Sequence, residues 1–174
     1  MLRLIFAFVD IMLHRRGPES LPSSRFLLWA LLATYLAMVF VVDWLAGPMP
    51  IWFAVDILVL GLHVWFVWAL LRTFGRLARF RQTMTALLGA GVLLTVLEAP
   101  LAVSLAHQPP PTPQNQTLTL SSLLSLLVVV WAIDIAAFVF SRALERPYVV
   151  CAAVVIAYAF LILSLQVTLL RPIT

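Results

Sequence analysis

The chain contains no lysine, one cysteine and only seven acidic residues among 174 positions. Each scarcity excludes something. Charged residues make up 10% of the chain, against about a quarter in a soluble domain, and with 64% hydrophobic residues it cannot fold as one small water-soluble globule. The mean hydropathy of +1.09 agrees. Cys151 lies alone inside an apolar run, so neither an intrachain disulfide nor a cysteine metal site can form. Its expected role is that of a small buried side chain. The three histidines, His14, His63 and His107, fall at different levels and in no ligand spacing. A phosphate-binding loop, a nucleophile elbow and a dinucleotide fingerprint are likewise missing. The expectation is therefore no metal, no cofactor and no enzymatic role. The absence of lysine leaves all eleven basic residues as arginine, a composition that suits a GC-rich bacterial genome.

What the chain has in abundance is long apolar stretches. Five of them cover residues 26–46, 51–71, 84–106, 120–140 and 148–170. A helix of about 20 residues, rising 1.5 Å each, crosses a hydrocarbon core about 30 Å thick. The expected fold is all-α: one membrane domain over residues 1–174, a polytopic bundle of five transmembrane helices with an amino-terminal interfacial amphipathic helix. Span one is entered through Pro22, Ser23 and Ser24, which can start a helix, and stops at Gly47 and Pro48, which cannot continue one. Residues 107–117, with four prolines, form the longest loop outside the spans.

Arginine counting gives the expected direction, because basic residues in short loops are retained on the cytoplasmic side. Arg15, Arg16 and Arg25 precede span one, Arg72, Arg76, Arg79 and Arg81 follow span two, and Arg142 and Arg146 follow span four. These gaps share a face, and only Arg171 falls on the other. The reading is a multi-pass protein of the bacterial inner membrane, amino terminus cytoplasmic and carboxyl terminus periplasmic. The same count accounts for the high pI without nucleic acid as a partner. The segment from Arg72 to Arg81 interleaves aromatics with cations and suits anionic lipid head groups at about 1 kcal/mol per charge; it also serves simply as the topological signal.

Residues 1–16 lack a small-residue cleavage site and run into Arg15-Arg16, so a secretory signal is not expected. On a helix, Arg3, Asp10 and His14 share one stripe, with Leu4, Ile5, Phe8, Ile11 and Met12 covering the rest. Such a helix anchors the bundle at the interface or docks a partner. Trp44 and Trp52 fit an interfacial belt, Trp29, Trp65 and Trp68 the opposite ends, and Trp131 a helix contact. Small residues permit close helix approach at Ala86, Gly89 and Ala90 in span three and at Ala153 and Ala157 in span five.

Polar groups inside the spans carry what chemistry is available. Asp43 and Asp56 lie near span ends. Glu98 and Asp134 lie deeper, about 12 Å and about 9 Å from the nearer end at 1.5 Å per residue. His63 follows Asp56 by seven residues on one face of span two. Asp56, His63, Glu98 and Asp134 thus form a candidate intramembrane polar cluster. If they converge around water they can relay protons or bind a cation; if they point at separate neighbours they are clasps between helices. Pro100, two residues after Glu98, frees the Val96 carbonyl and favours a kink there.

The five closely spaced spans, the short amino-terminal segment and the stretches from Leu13 to Ser24 and from Arg79 to Gly89 resemble the Yip1-type membrane protein family. The resemblance covers nearly the whole chain and implies a non-enzymatic integral membrane role with no catalytic residues. It departs from the eukaryotic members, which contact small GTPases through a longer cytoplasmic region, so that partner is not implied. Two function classes follow from the sequence. One is an accessory, scaffold or assembly subunit whose partners are membrane lipids and other membrane proteins or a second copy of itself. The alternative is a small proton- or ion-coupled transporter using His63, Glu98 and Asp134.

Overall fold

The computed structural model describes residues 2–47, 50–108 and 119–170. Most of the proline loop, the Trp52 side chain and Arg171 lie outside the described residues. Those that are described form six α-helices: α1 (Leu2–Met12), α2 (Arg25–Ala46), α3 (Pro50–Thr73), α4 (Phe80–Ala106), α5 (Leu120–Leu144) and α6 (Tyr148–Leu170). Two short 3₁₀ turns, Pro18–Ser20 and Leu77–Arg79, join them. Five of the helices are long and apolar enough to cross a membrane. Their outer surface bears this out, since Phe26, Trp29, Trp44, Trp65 and Phe160 are all more than 60% exposed. Apolar exposure on that scale is unsuited to water.

Local chemistry sets the helix ends. The Ser24 hydroxyl accepts a hydrogen bond from the Leu27 N–H (3.3 Å) and starts α2, and Thr119 does the same for Ser122 (3.3 Å) at α5. Gly47, at φ +136°, takes the backbone where α2 stops. Helix α4 begins a turn before the expected span, because Arg81 and Gln82 continue a helix readily even though they are not apolar, and it runs on through Pro100.

Helix α4 is the hub. It packs most extensively on α2 and α5 and also meets α1 and α3, while α6 closes on α5 and α3. From Thr83 to Ala90 every α4 residue but Leu87 is buried. One core unites Val67, Leu71, Met84, Leu88, Phe140, Leu144 and Cys151 of α3 to α6. A second joins Phe8, Ile11 and Met12 of α1 to Ala86, Ala90 and Leu94 of α4 and Ile135 and Val139 of α5. By contrast α2 contributes no buried residue, although Tyr35 packs beside Gly91.

The amino-terminal helix is shorter than its amphipathic stripe suggests, ending at Met12 rather than running to residue 16. Its position follows from the second core. Gly89 offers no side chain, and a Cβ there would overlap the Phe8 ring. The small residues Ala86, Gly89 and Ala90 therefore serve as the seat of α1. Gly89 is nine residues into α4, about 13 Å along its axis. The outward face of α1 carries Ile5 and Phe6, both exposed, so this helix lies along the flank of the bundle with an apolar side turned away from it.

Candidate functional site

Three helices, α1, α3 and α5, end on the arginine-rich face, and each ends through a residue in the left-handed region. After α1 the residue is His14 (φ +59°), after α3 Gly75 (φ +66°) and after α5 Glu145 (φ +55°). At each, the following N–H reaches back six residues inclusive: Arg15 to Asp10 (2.8 Å), Arg76 to Leu71 (2.8 Å) and Arg146 to Ser141 (3.2 Å). This closes the helix by satisfying carbonyls its last turn leaves free. Glycine adopts the conformation at little cost, whereas His14 and Glu145 carry a Cβ and pay for it in steric strain. Those two side chains are also the ones that tie elements together.

His14 turns toward α5. Its Nε2 sits 3.2 Å from Asp134 Oδ2, and its ring stacks on Phe138 with centroids 4.2 Å apart. The other carboxylate oxygen of Asp134 accepts a hydrogen bond from the Tyr148 hydroxyl (2.6 Å) at the start of α6. Asp134 is thus held from both sides, by the segment after α1 and by α6. This is a three-residue clasp, with all three side chains partly accessible rather than sealed.

Glu145 gathers the loop between α3 and α4. Its carboxylate accepts hydrogen bonds from Arg76 and from Arg79, the latter at 2.6 Å. Arg79 also donates to the carbonyls of Arg142 and Ala143 (both 3.1 Å) at the end of α5. Arg142 in turn reaches Glu19 (2.9 Å), and Gln82 donates to the Leu21 carbonyl (3.1 Å). The Arg79 hydrogen bond, only partly opposed by desolvation and aided by the charges of Arg76 and Arg79, holds the Glu145 carboxyl below the ordinary glutamate value. For Glu19 burial pushes the carboxyl up, but its own backbone N–H and the Arg142 guanidinium outweigh this and bring it down. Single exposed ion pairs contribute little, about 0–1 kcal/mol; here Glu145 joins two arginines and Arg79 joins Glu145 to two backbone carbonyls at the end of α5.

The remaining polar residues of the spans go elsewhere. His63 is exposed on the bundle surface, with Nδ1 2.8 Å from the Val59 carbonyl of its own helix and its ring edge-on to Tyr158 at 5.1 Å. Tyr158 stacks on Phe66 at 3.9 Å. Asp56 faces Asp43, one of whose oxygens, Oδ2, is buried without a hydrogen-bond partner. Asp56 and Glu98 both lie near Tyr35 of α2. The structure therefore places the four candidate residues in three locations: Asp134 in the clasp, His63 on the α3 surface, and Asp56 with Glu98 around Tyr35. Among the described residues no group of three His, Cys, Asp or Glu side chains is arranged to hold a metal ion.

Of the four arginines from Arg72 to Arg81, Arg76 and Arg79 are engaged as above. Arg72 lies over the Trp68 ring, 4.9 Å from its centroid. Arg81 makes no hydrogen bond or ion pair with any described residue and borders an open cavity. In the sequence His14 falls in the amphipathic stripe, and nothing there singles out Tyr148 or Glu145. No local signal marks the partners of Asp134, one of which lies 120 positions earlier in the chain. No protein-family model matches this chain, and no curated protein or solved structure is similar to it.

Proposed function

We propose that this protein is a non-enzymatic accessory or scaffold subunit of the bacterial inner membrane, with its arginine-rich face in the cytoplasm, bound to a larger membrane complex or to further copies of itself. The observation that carries this reading is the use made of the polar side chains. Asp134 is spent on holding the segment after α1 and α6, and Glu145 and Glu19 on fastening loops. Polar contacts of this kind are what fixes helices in lipid, where the hydrophobic effect between helices is absent. Surface for a partner is supplied by α6, whose Ala153 and Ala157 stay exposed. Small residues of this sort allow another helix to approach closely. The resemblance to Yip1-type proteins supports the same class of role.

The test is extraction into native membrane discs followed by mass measurement. The wild-type chain is expected in particles heavier than one 19.4 kDa copy plus lipid, and Ala153→Leu combined with Ala157→Leu is expected to release it. A chain that runs as a single copy in native membranes would overturn the proposal.

A second reading, a small proton- or ion-coupled transporter, rests on Asp56 facing Asp43 and on Asp56 and Glu98 lying near Tyr35. Proteoliposomes loaded with a pH-sensitive dye decide it. A proton leak that disappears in Asp56→Asn with Glu98→Gln supports transport, and identical traces eliminate it.

A further inference from the structure

The arginine-rich face has a cavity whose chemistry differs from the rest of that face. It has a volume of about 420 Å³ and opens to the surface between the start of α2 and the facing ends of α3 and α4. Small-molecule sites typically measure about 300–1,000 Å³. Its walls are Trp68, Leu77, Ala78 and Phe80, and its polar groups are Ser23 and Arg81. No acid lines it. Trp68 lies five residues before the end of α3, about 7 Å along the helix, while Ser23 just precedes α2. The cavity thus reaches from the depth of the first apolar turns out to the level of the loops, which is the height of the boundary between lipid head groups and acyl chains.

Charge balance says what fits there. Asp10, Glu19 and Glu145 are the acids beside this face, and each is already paired, with Arg16, with Arg142, and with Arg76 and Arg79. Arg81 is left without a counter-charge among the described residues, and Arg72 brings a second cation beside Trp68. A guanidinium with free donors presents a bidentate fork for a phosphate. A serine hydroxyl adds one donor, and the indole and phenyl walls suit glycerol and the first methylenes of an acyl chain.

We infer that this cavity is a binding site for one anionic phospholipid, its phosphate on Arg81 and Ser23 and its glycerol and upper chains against Trp68, Leu77 and Phe80. The inference goes beyond the proposed subunit role and needs only that the five long helices cross a bilayer. Binding at this site holds the start of α2 to the turn before α4, a junction where the described residues make no ion pair.

Native mass spectrometry of the full chain, released from mixed micelles containing phosphatidylglycerol or phosphatidylcholine, tests it. The wild type is expected to retain one phosphatidylglycerol under conditions that strip phosphatidylcholine. Arg81→Gln is expected to weaken that retention by about fivefold, as befits one interfacial charge. Arg81→Lys should recover part of it, and Arg15→Gln, an arginine on the same face but outside the cavity, should retain lipid as the wild type does. Equal retention of the two lipids by the wild type, or equal losses in Arg81→Gln and Arg15→Gln, would overturn the inference. Thermal melting of each variant in detergent without added lipid separates lost binding from lost fold: an Arg81→Gln chain that melts as the wild type yet binds equally well also counts against the site.

Discussion

His14 and Glu145 are the two non-glycine residues with positive φ among the described positions, and each anchors a contact between distant elements. A left-handed residue bearing a Cβ costs roughly 1–2 kcal/mol, so at these sites the backbone and the side chain pull in opposite directions. Substitution can separate the two. His14→Gly removes the imidazole while relaxing the turn, whereas His14→Ala removes it and keeps the strain. The alanine variant is expected to be about 1 kcal/mol less stable than the glycine variant. In both, and in Asp134→Asn, the segment before Gly17 should become more accessible to protease in detergent, which gel analysis of limited digests reads directly. Acid acts on the second contact. Glu19 and Glu145 titrate below the ordinary glutamate value of 4.5, so they bind fewer protons folded than unfolded. Their stabilisation is complete above that value and disappears as pH falls through the lowered one. Thermal midpoints recorded from neutral pH down to about pH 3 should fall most steeply below 4.5, and Glu19→Gln combined with Glu145→Gln should flatten that part of the profile.

At the scale of elements, α1 depends on α4 for its seat. The Phe8 ring occupies the space a side chain at Gly89 would need. Gly89→Leu should therefore push α1 off the bundle at a cost of about 1–3 kcal/mol, the usual range for overpacking. A cysteine at Ile11, where the native residue is fully buried, would then react with a thiol reagent in the Gly89→Leu background and resist it otherwise. The five long helices were legible in the sequence because a run of apolar residues long enough to cross a bilayer has few other solutions. The place of α1 was not. An eleven-residue amphipathic pattern marks an interfacial helix without saying which residues it packs on, and the missing side chain at Gly89, where Phe8 sits, supplies that. The clasp was half legible: Asp134 stood out as a deep acid, but His14 looked like one more residue of a helix that in fact stops two positions earlier. The separation of His63 from Asp134 could not be read either, because helical spacing relates residues within one span and says nothing of which spans face each other.

For the whole molecule, sidedness is the property most open to direct test. In a Cys151→Ser chain, a cysteine replacing Ser23 should be labelled by a membrane-impermeant reagent only from the cytoplasmic side. Labelling from the periplasmic side would invert the orientation proposed above. The unmodified chain offers a built-in blank, since its own Cys151 is buried. The central position of α4, touched by α1, α2, α3 and α5, also bears on the order in which the molecule comes together. Helix α1 leaves the ribosome before the five long helices, yet its seat on α4 and the Asp134 that holds His14 are made much later. At about 5–20 residues per second, the 120 positions from His14 to Asp134 correspond to a wait on the order of ten seconds. During nascent-chain insertion, then, α1 has no seat until α4 and α5 have been made, which leaves it exposed to chaperones and proteases for that whole interval in the newborn protein.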